Sequence, residues 1–235
     1  MTSTSSIVQP TAATRIAGLV SALVIAATAG FVITQYAALP DILPVRFGRG
    51  GYPNGWQYRT VSRVLMPVFV QLALVLTLGS IAALVLSRPH GEHDRDAPDV
   101  RTAAAAAEAV TLIALVWVAF QGYAAVALIR MWQLGRAGLG PVYTILEVTG
   151  GVMSVLIFAR AQITFGRPTP RPYVAQHWRF GQLYKNPDDP ALFVPTRDGS
   201  RWTLNFGRPV AAALLGVILG VGIIGPAVIL GLLLR

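Results

Sequence analysis

The chain has 235 residues, of which 54% are hydrophobic and only 12% are charged, and its mean hydropathy is +0.58. Soluble domains carry about 25% charged residues, so this composition excludes an ordinary soluble fold. No cysteine is present, which excludes disulfides and thiolate metal sites. All but one of the 19 basic residues are arginine, and most flank apolar blocks. They indicate membrane topology and lipid headgroups rather than direct nucleic-acid binding.

Five apolar blocks are each long enough to cross a hydrocarbon core of about 30 Å. They predict an all-α integral membrane protein, a bundle of five transmembrane helices with a small β-hairpin in the last loop. Proline and glycine residues between the blocks are typical of helix ends. In chain order the blocks are 16–38, 61–86, 103–132, 142–165 and 210–234.

The basic residues outside the helices divide unequally, with 11 on the side of the N-terminus and 6 on the other side. Because cytoplasmic segments retain arginine and lysine, the N-terminus is predicted to be cytoplasmic, in a multi-pass protein of the cell membrane. The segments are then a disordered cytoplasmic tail (1–15), two helices (16–86) with a structured outer loop (39–60), a charged cytoplasmic loop (87–102), two helices (103–165), a cytoplasmic loop module (166–209) and a last helix (210–235).

The outer loop is rich in turn-forming residues. Its prolines restrict the chain to extended conformations, and Asn54-Gly55 predicts a tight turn because both residues tolerate positive φ. Two interpretations stay open: Tyr52, Trp56 and Tyr58 anchor the loop in the aromatic belt of the membrane, or the loop binds a ligand. The candidate ligand-binding residues are Pro40, Asp41, Pro44, Arg46, Phe47, Asn54 and Trp56.

The pattern Leu39-Pro40-Asp41-x-x-Pro44-x-x-Phe47, followed by Gly51-x-Pro53-Asn54-Gly55-Trp56, resembles the outer loop of the SdpI-like bacterial membrane proteins. The best-understood members confer immunity to a secreted peptide toxin and signal its presence by holding a transcriptional repressor at the membrane. The resemblance implies sensing of, or immunity to, an extracellular peptide or envelope component. Such proteins usually carry His where this chain has Arg46, and often Asp where it has Asn54, so a His- or metal-dependent role is not implied.

A second resemblance covers the segment from His177 to Pro209, which includes Asn186-Pro187-Asp188-Asp189-Pro190. The segment looks like an uncharacterised module of bacterial membrane proteins that often accompanies the first pattern. Under the sensor hypothesis, this module passes the state of the outer loop to a cytoplasmic regulator. The candidate partner-binding residues are Trp178, Tyr184, Asn186, Asp188, Asp189, Trp202 and Asn205.

The residues of this module also have a local structural interpretation. Asp198-Gly199, between two β-prone runs, predicts a hairpin with a type I′ turn. Apolar side chains of the hairpin are expected against the bilayer surface, with neighbouring arginines at the phosphates. These apolar residues are Phe193, Trp202, Leu204 and Phe206.

Four ionisable residues fall within the predicted helices, where charge is costly and indicates function. If the third and fourth helices are antiparallel, two cross-helix ion pairs result: Glu108 with Arg160, and Arg130 with Glu147. The alternative is that Glu108 and Arg130 lie at the membrane interfaces and that the Arg160 side chain extends toward the headgroups.

The sequence carries no recognisable catalytic pattern. It lacks His-Glu-x-x-His and Gly-x-Ser-x-Gly, and Gly48-Arg49-Gly50-Gly51 lacks the Lys-Ser/Thr ending of a phosphate-binding loop. An enzyme, a cofactor and a metal site are therefore not expected, and residues 90–96 are interpreted as a solvated loop. A small transporter or channel subunit is the alternative function, although two glutamates are few for an ion relay. The expected partners are the lipid bilayer, an extracellular peptide and a cytoplasmic regulator.

Overall fold

The computed structural model describes residues 6–47, 53–87, 89–90, 98–136, 138–165, 168, 171–217 and 220. The helices are α1 (Ala12–Gln35), α2 (Val61–Val64), α3 (Met66–Leu86), α4 (Pro98–Leu134) and α5 (Pro141–Phe165), and residues 209–217 are also helical. The strands pair in antiparallel ladders: β1 (Ser6–Ile7) with β4 (Pro89–His90), β2 (Ile42–Phe47) with β3 (Pro53–Tyr58), β5 (Trp178–Arg179) with β6 (Leu183–Tyr184), and β7 (Phe193–Pro195) with β8 (Trp202–Leu204).

Within the described ranges, four helical segments are long and apolar enough to cross a membrane, and they are Ala12–Ala38, Met66–Leu86, Val100–Leu134 and Pro141–Phe165. Their outward faces are apolar, with Leu19, Leu76 and Ile163 exposed by 63%, 69% and 81%. Lipid covers such faces without cost, whereas water would penalise them. The chain is therefore a multi-pass membrane protein. The fifth predicted helix begins as expected near residue 209, but most of its range lies outside the described residues.

The first residues of the described chain are folded, contrary to the predicted disordered tail. Ser6 and Ile7 pair with His90 and Pro89. Val8 is 2% exposed, and its N–H donates to the Leu86 carbonyl oxygen at 3.1 Å. Burial of this one apolar side chain, together with the strand hydrogen bonds, offsets the entropy lost when the segment is ordered. Composition alone could not reveal that partner.

The chain divides into two compact units: residues 1–15, 77–111 and 158–235 form the first, and residues 16–76 and 112–157 form the second. Each unit has its own buried cluster. In the first unit the cluster comprises Val8, Ala82, Val85, Val100, Ala103, Ala107, Leu192, Ala211 and Leu214. In the second unit it comprises Val32, Leu39, Leu43, Val64, Ala125, Ile129, Met131 and Trp132.

A buried glutamine joins three helices of the second unit. Gln71 on α3 is 0% exposed, and its Nε2 donates to the Thr28 hydroxyl on α1 at 3.1 Å and to the Val118 carbonyl on α4 at 2.9 Å. Gly122 permits this approach, because an added Cβ would lie 3.2 Å from the Thr28 hydroxyl oxygen. Interhelical hydrogen bonds of this kind stabilise packing in lipid. The sequence interpretation considered only ionisable residues and missed it.

Candidate functional site

The β2–β3 hairpin has one buried face and one exposed apolar face. Side chains alternate across the strands, and Ile42 lies opposite Tyr58 in the ladder. Leu43 faces inward and is 0% exposed within the cluster that includes Ile129 of α4. The outward face presents Ile42, Trp56 and Tyr58, which are 52%, 58% and 74% exposed. A shallow groove of about 520 Å³ runs over this face, lined by Ile42, Trp56, Gln57, Tyr58, Thr60 and Arg63.

Arg59 holds the base of this hairpin against the end of α1. Its guanidinium donates to the carbonyl oxygens of Leu39 at 2.6 Å and Tyr36 at 3.0 Å, and it lies over the Tyr36 ring. It also forms an ion pair with Asp41 at 3.0 Å, while the Arg59 N–H donates to the Asp41 carbonyl oxygen at 2.7 Å. Arg59 thus satisfies carbonyls that the end of the helix leaves free. The sequence interpretation selected Asp41 and overlooked its cationic partner.

Replacing Arg59 with alanine is expected to open the hairpin base, because two backbone carbonyls lose a charged donor. The loss is about 2 kcal/mol, which should speed amide hydrogen exchange across residues 53–58 about 30-fold. Hydrogen–deuterium exchange with mass spectrometry measures this directly. Asp41→Asn is the matched comparison. The Asp41 side chain is 88% exposed, so an ion pair there contributes under about 1 kcal/mol. Equal acceleration in both variants would show that the ion pair, not the carbonyl contacts, holds the base.

The predicted tight turn at Asn54-Gly55 is wrong. Both residues lie within β3, where Gly55 pairs with Arg46 at a register shift, and neither has positive φ. Glycine is needed there for close approach, since a Cβ on Gly55 would lie 3.0 Å from the Arg46 Cβ. Among the other candidates of this loop, Asn54, Arg46 and Pro40 are exposed, Phe47 ends β2, and Pro44 accepts a hydrogen bond on its carbonyl from the Trp132 indole at 3.0 Å.

The loop module is described from residue 171 to residue 208, and its second hairpin was predicted correctly except for the turn type. β7 and β8 flank Asp198-Gly199, but only Gly199 has positive φ, at +67°, whereas a type I′ turn needs two such residues. The Gly199 N–H donates to the Thr196 carbonyl at 2.8 Å. Hydrogen bonds from Ser200 and then Thr196 to the carboxylate lower the pKa of Asp198 well below its usual range.

The apolar side chains of this hairpin do not form the predicted bilayer-facing surface. Phe193, Leu204 and Phe206 pack against the buried cluster of the first unit, and Trp202 is half-buried opposite Pro195. Leu192, at 2% exposure, belongs to the cluster itself. The strand alternation was interpreted correctly, but the partner of the apolar face is protein rather than lipid.

Asn205 organises the Asn186-Pro-Asp-Asp-Pro190 turn and is 0% exposed. Its Nδ2 donates to the carbonyl oxygens of Asn186, Asp189 and Ala191 at 2.8, 3.1 and 3.2 Å. Its Oδ1 accepts from the N–H groups of Asn186 at 3.0 Å and Gly207 at 2.9 Å. One side chain therefore forms hydrogen bonds with five backbone groups, three in this proline-containing turn and two beside it. From the sequence, Asn205 was predicted to bind a partner, whereas in the structure its side chain orders this turn.

The Asp189 carboxylate is also used in hydrogen bonds within the module. Its carboxylate accepts from the Arg171 guanidinium at 2.8 Å, the Tyr184 hydroxyl at 3.1 Å and the Ala191 N–H at 2.9 Å. Burial raises the pKa of the Tyr184 hydroxyl, and the Asn186 amide opposes this increase. Asp188 is exposed and contributes only its N–H, which donates to Asn186 Oδ1 at 3.0 Å. A carboxylate that already serves three donors has little capacity left for a cation.

An aromatic groove of about 270 Å³ opens on the module. Trp178 and His177 meet the Tyr184 ring edge-to-face, with centroids 5.3 and 5.9 Å away. At one rim the Arg197 guanidinium lies 4.6 Å from the centre of the Tyr173 ring. The remaining lining residues are Arg171, Pro172, Val174, Val194, Pro195 and Thr196. Of the predicted partner-binding residues, Trp178 and Tyr184 thus line a concave surface.

The intramembrane ionisable residues do not form the predicted ion pairs within the described ranges. Glu108 instead accepts a hydrogen bond from the Thr11 hydroxyl at 2.6 Å. Thr11 caps α1 by accepting from the Thr14 N–H at 3.1 Å, so Glu108 places a carboxylate near a helix N-terminus, where negative charge is favourable. Arg130, Glu147 and Arg160 are exposed on their helices.

These observations define a multi-pass membrane protein with a clamped hairpin in one unit and a folded polar module after α5 in the other. DUF5808, a family of unknown function, has a model that matches residues 187–211 of this chain. The matched range includes β7, β8, Asn205 and Gly207, which are the parts that order the module. No curated protein and no solved structure matches the chain.

Proposed function

We propose that this chain is a membrane sensor or immunity protein of the SdpI-like kind. Its β2–β3 hairpin meets an extracellular peptide or envelope component, and its loop module passes the bound state to a cytoplasmic regulator. The supporting observation is the asymmetry of the hairpin. One face is buried and the base is fixed by Arg59, whereas Ile42, Trp56 and Tyr58 stay exposed on the other face.

A fixed hairpin with an exposed apolar face suits recognition. Its side chains lose little conformational freedom on binding, because the backbone beneath them is already ordered. Trp56 and Tyr58 offer large apolar surfaces with polar edges, and Arg63 supplies a cation at the rim of the groove. This combination favours the apolar side of an amphipathic peptide that also carries acidic or carbonyl groups.

The loop module supplies the second contact of the proposed sensor. Its aromatic groove is lined by Trp178 and Tyr184, which Asp189 and the β5–β6 pairing hold in place. A groove of about 270 Å³ accommodates one or two side chains of a protein partner. The regulator is therefore expected to insert an apolar or aromatic anchor there.

The test uses the native host and its own secreted peptides. A deletion strain is grown with the concentrated peptide fraction of wild-type spent medium, and growth is compared after complementation with wild-type, Trp56→Ser or Val142→Ser chains. We expect the deletion strain to be inhibited, and we expect wild-type and Val142→Ser chains to restore growth while Trp56→Ser does not. Val142 is the matched control because it is an exposed apolar residue in the first turn of α5 that does not line the groove.

Two outcomes would contradict the proposal. Unimpaired growth of the deletion strain in that fraction would reject an immunity role. Full rescue by Trp56→Ser would separate immunity from the exposed hairpin face and favour a simple interfacial anchor for Trp56. Membrane levels of each variant, measured by immunoblot, exclude poor insertion as the cause of failed rescue.

A further inference from the structure

The β5–β6 hairpin ends in an aromatic residue that the described chain leaves uncovered. Phe180 is 95% exposed and has φ of +50°, next to Gly181 with φ of +72°. The Gln182 N–H donates to the Arg179 carbonyl oxygen at 3.2 Å and closes the turn. Positive φ is unfavourable for a bulky side chain, and asparagine or glycine would relieve it. A strained aromatic residue that none of the described residues covers indicates a contact outside the chain.

Strand alternation gives this hairpin two different faces. Trp178 and Tyr184 lie opposite each other in the ladder, contact edge-to-face and line the aromatic groove. Arg179 and Leu183 form the next pair and point to the other side, where Leu183 is 42% exposed. The outer face thus combines an aromatic tip and an aliphatic side chain with a cation. Lys185, also exposed, adds a second cation at the base of the hairpin.

A bilayer surface fits this outer face in both geometry and charge. The module follows α5, which ends at Phe165, and each residue of the connection spans at most about 3.6 Å, so Phe180 stays within reach of the headgroups. A single protruding ring suits the headgroup–acyl boundary, and the flanking cations suit acidic lipid phosphates. We propose that the Phe180 tip inserts into the surface of an acidic membrane and fixes the module against it. This inference does not depend on the proposed function.

The absence of native cysteine provides a direct test in the full chain. Gln182→Cys carries an environment-sensitive fluorophore beside the tip, and the protein is reconstituted in nanodiscs of phosphatidylcholine alone or mixed with phosphatidylglycerol. Lipids with a nitroxide near the headgroup end of the acyl chain then quench a membrane-inserted label. We expect quenching in the acidic nanodiscs, less in the neutral ones, and an approximately tenfold lower ratio of inserted to free label after Phe180→Ser.

The other hairpin of the module supplies the matched control. Ser200→Cys places the same label in a turn flanked by Arg197 and Arg201 that has no aromatic residue of its own. That label should remain unquenched, because cations alone do not insert. An unquenched label at position 182 in every nanodisc would overturn the proposal and point to a protein partner for Phe180. Quenching that persists unchanged in Phe180→Ser would overturn it as well.

Discussion

Replacing Asn205 with alanine is expected to unfold the loop module while the membrane helices persist. The substitution removes the donor for three backbone carbonyls and the acceptor for two N–H groups. Each buried group without a partner costs about 1–3 kcal/mol, and entry of water recovers part of that loss. A net cost of about 4 kcal/mol exceeds the usual effect of one substitution.

Limited trypsinolysis in detergent micelles measures this loss. The module carries exposed cleavage sites, and its cleavage rate should rise on the order of 1,000-fold, because proteolysis follows the population of the open state. Circular dichroism at 222 nm should change little, because the helices are unaffected. The cleavage sites are Arg179, Lys185, Arg197 and Arg201.

Two further variants sharpen this test. Asp188→Ala removes an exposed side chain from the same turn and should leave cleavage unchanged. Asn205→Asp keeps both acceptor contacts but turns a carboxylate oxygen toward three carbonyl oxygens, so it should be as damaging as alanine at neutral pH. Wild-type resistance in Asn205→Asp would show that the three carbonyl contacts do not hold the turn.

Gly207→Ala is expected to disrupt the same module by steric conflict rather than by lost hydrogen bonds. A Cβ on Gly207 would lie 2.3 Å from the Asn186 carbonyl carbon, 2.5 Å from its oxygen and 2.6 Å from the Pro187 nitrogen. These are backbone atoms next to a proline, so no side-chain rotation can relieve the overlap. Overpacking of this kind costs about 3 kcal/mol, which corresponds to roughly 100-fold faster cleavage of the module.

The matched control for Gly207 lies in the helical segment that follows. An added Cβ on Gly216 meets nothing within 4 Å, and the residue is exposed, so Gly216→Ala should leave cleavage unchanged. Thermal melting followed by near-UV circular dichroism provides a second readout, because Trp178 and Trp202 lie in the affected segment. If Gly207→Ala melts like the wild type, the close crossing of residues 186–187 and 207 does not exist in solution.

The structural roles of Asn205 and Gly207 change the functional interpretation of the module. Asn186, Asp189 and Asn205 were selected from the sequence as partner-binding residues, and their polar groups are largely used in internal hydrogen bonds. The residues left for recognition are the groove-lining Trp178 and Tyr184 and the exposed Asp188. A recognisable turn pattern can thus reflect the needs of folding more than those of binding.

The membrane helices could be predicted because their signal is local. A block of about 20 apolar residues is sufficient for a span, and its ends are set by prolines and caps only a few residues away. The β7–β8 hairpin was predictable for the same reason, since Asp198-Gly199 lies between its strands. Prediction of local structure from the sequence failed where a contact with a residue farther along the chain sets the conformation. Gly55 is explained by Arg46 rather than by a turn, and Val8 is ordered by Ala82 and Val85.

The length of the apolar blocks determined by itself that this is a multi-pass membrane protein, and the turn-forming residues between the blocks indicated two structured polar segments. Only the tertiary structure decided which polar side chains are used in internal hydrogen bonds and which remain available to bind a partner. Arg59 caps a helix, Asn205 holds a turn, and Gln71 joins three helices. The physical reason is that a buried polar group must find a partner, and partners 14 to 47 residues apart in sequence leave no local pattern.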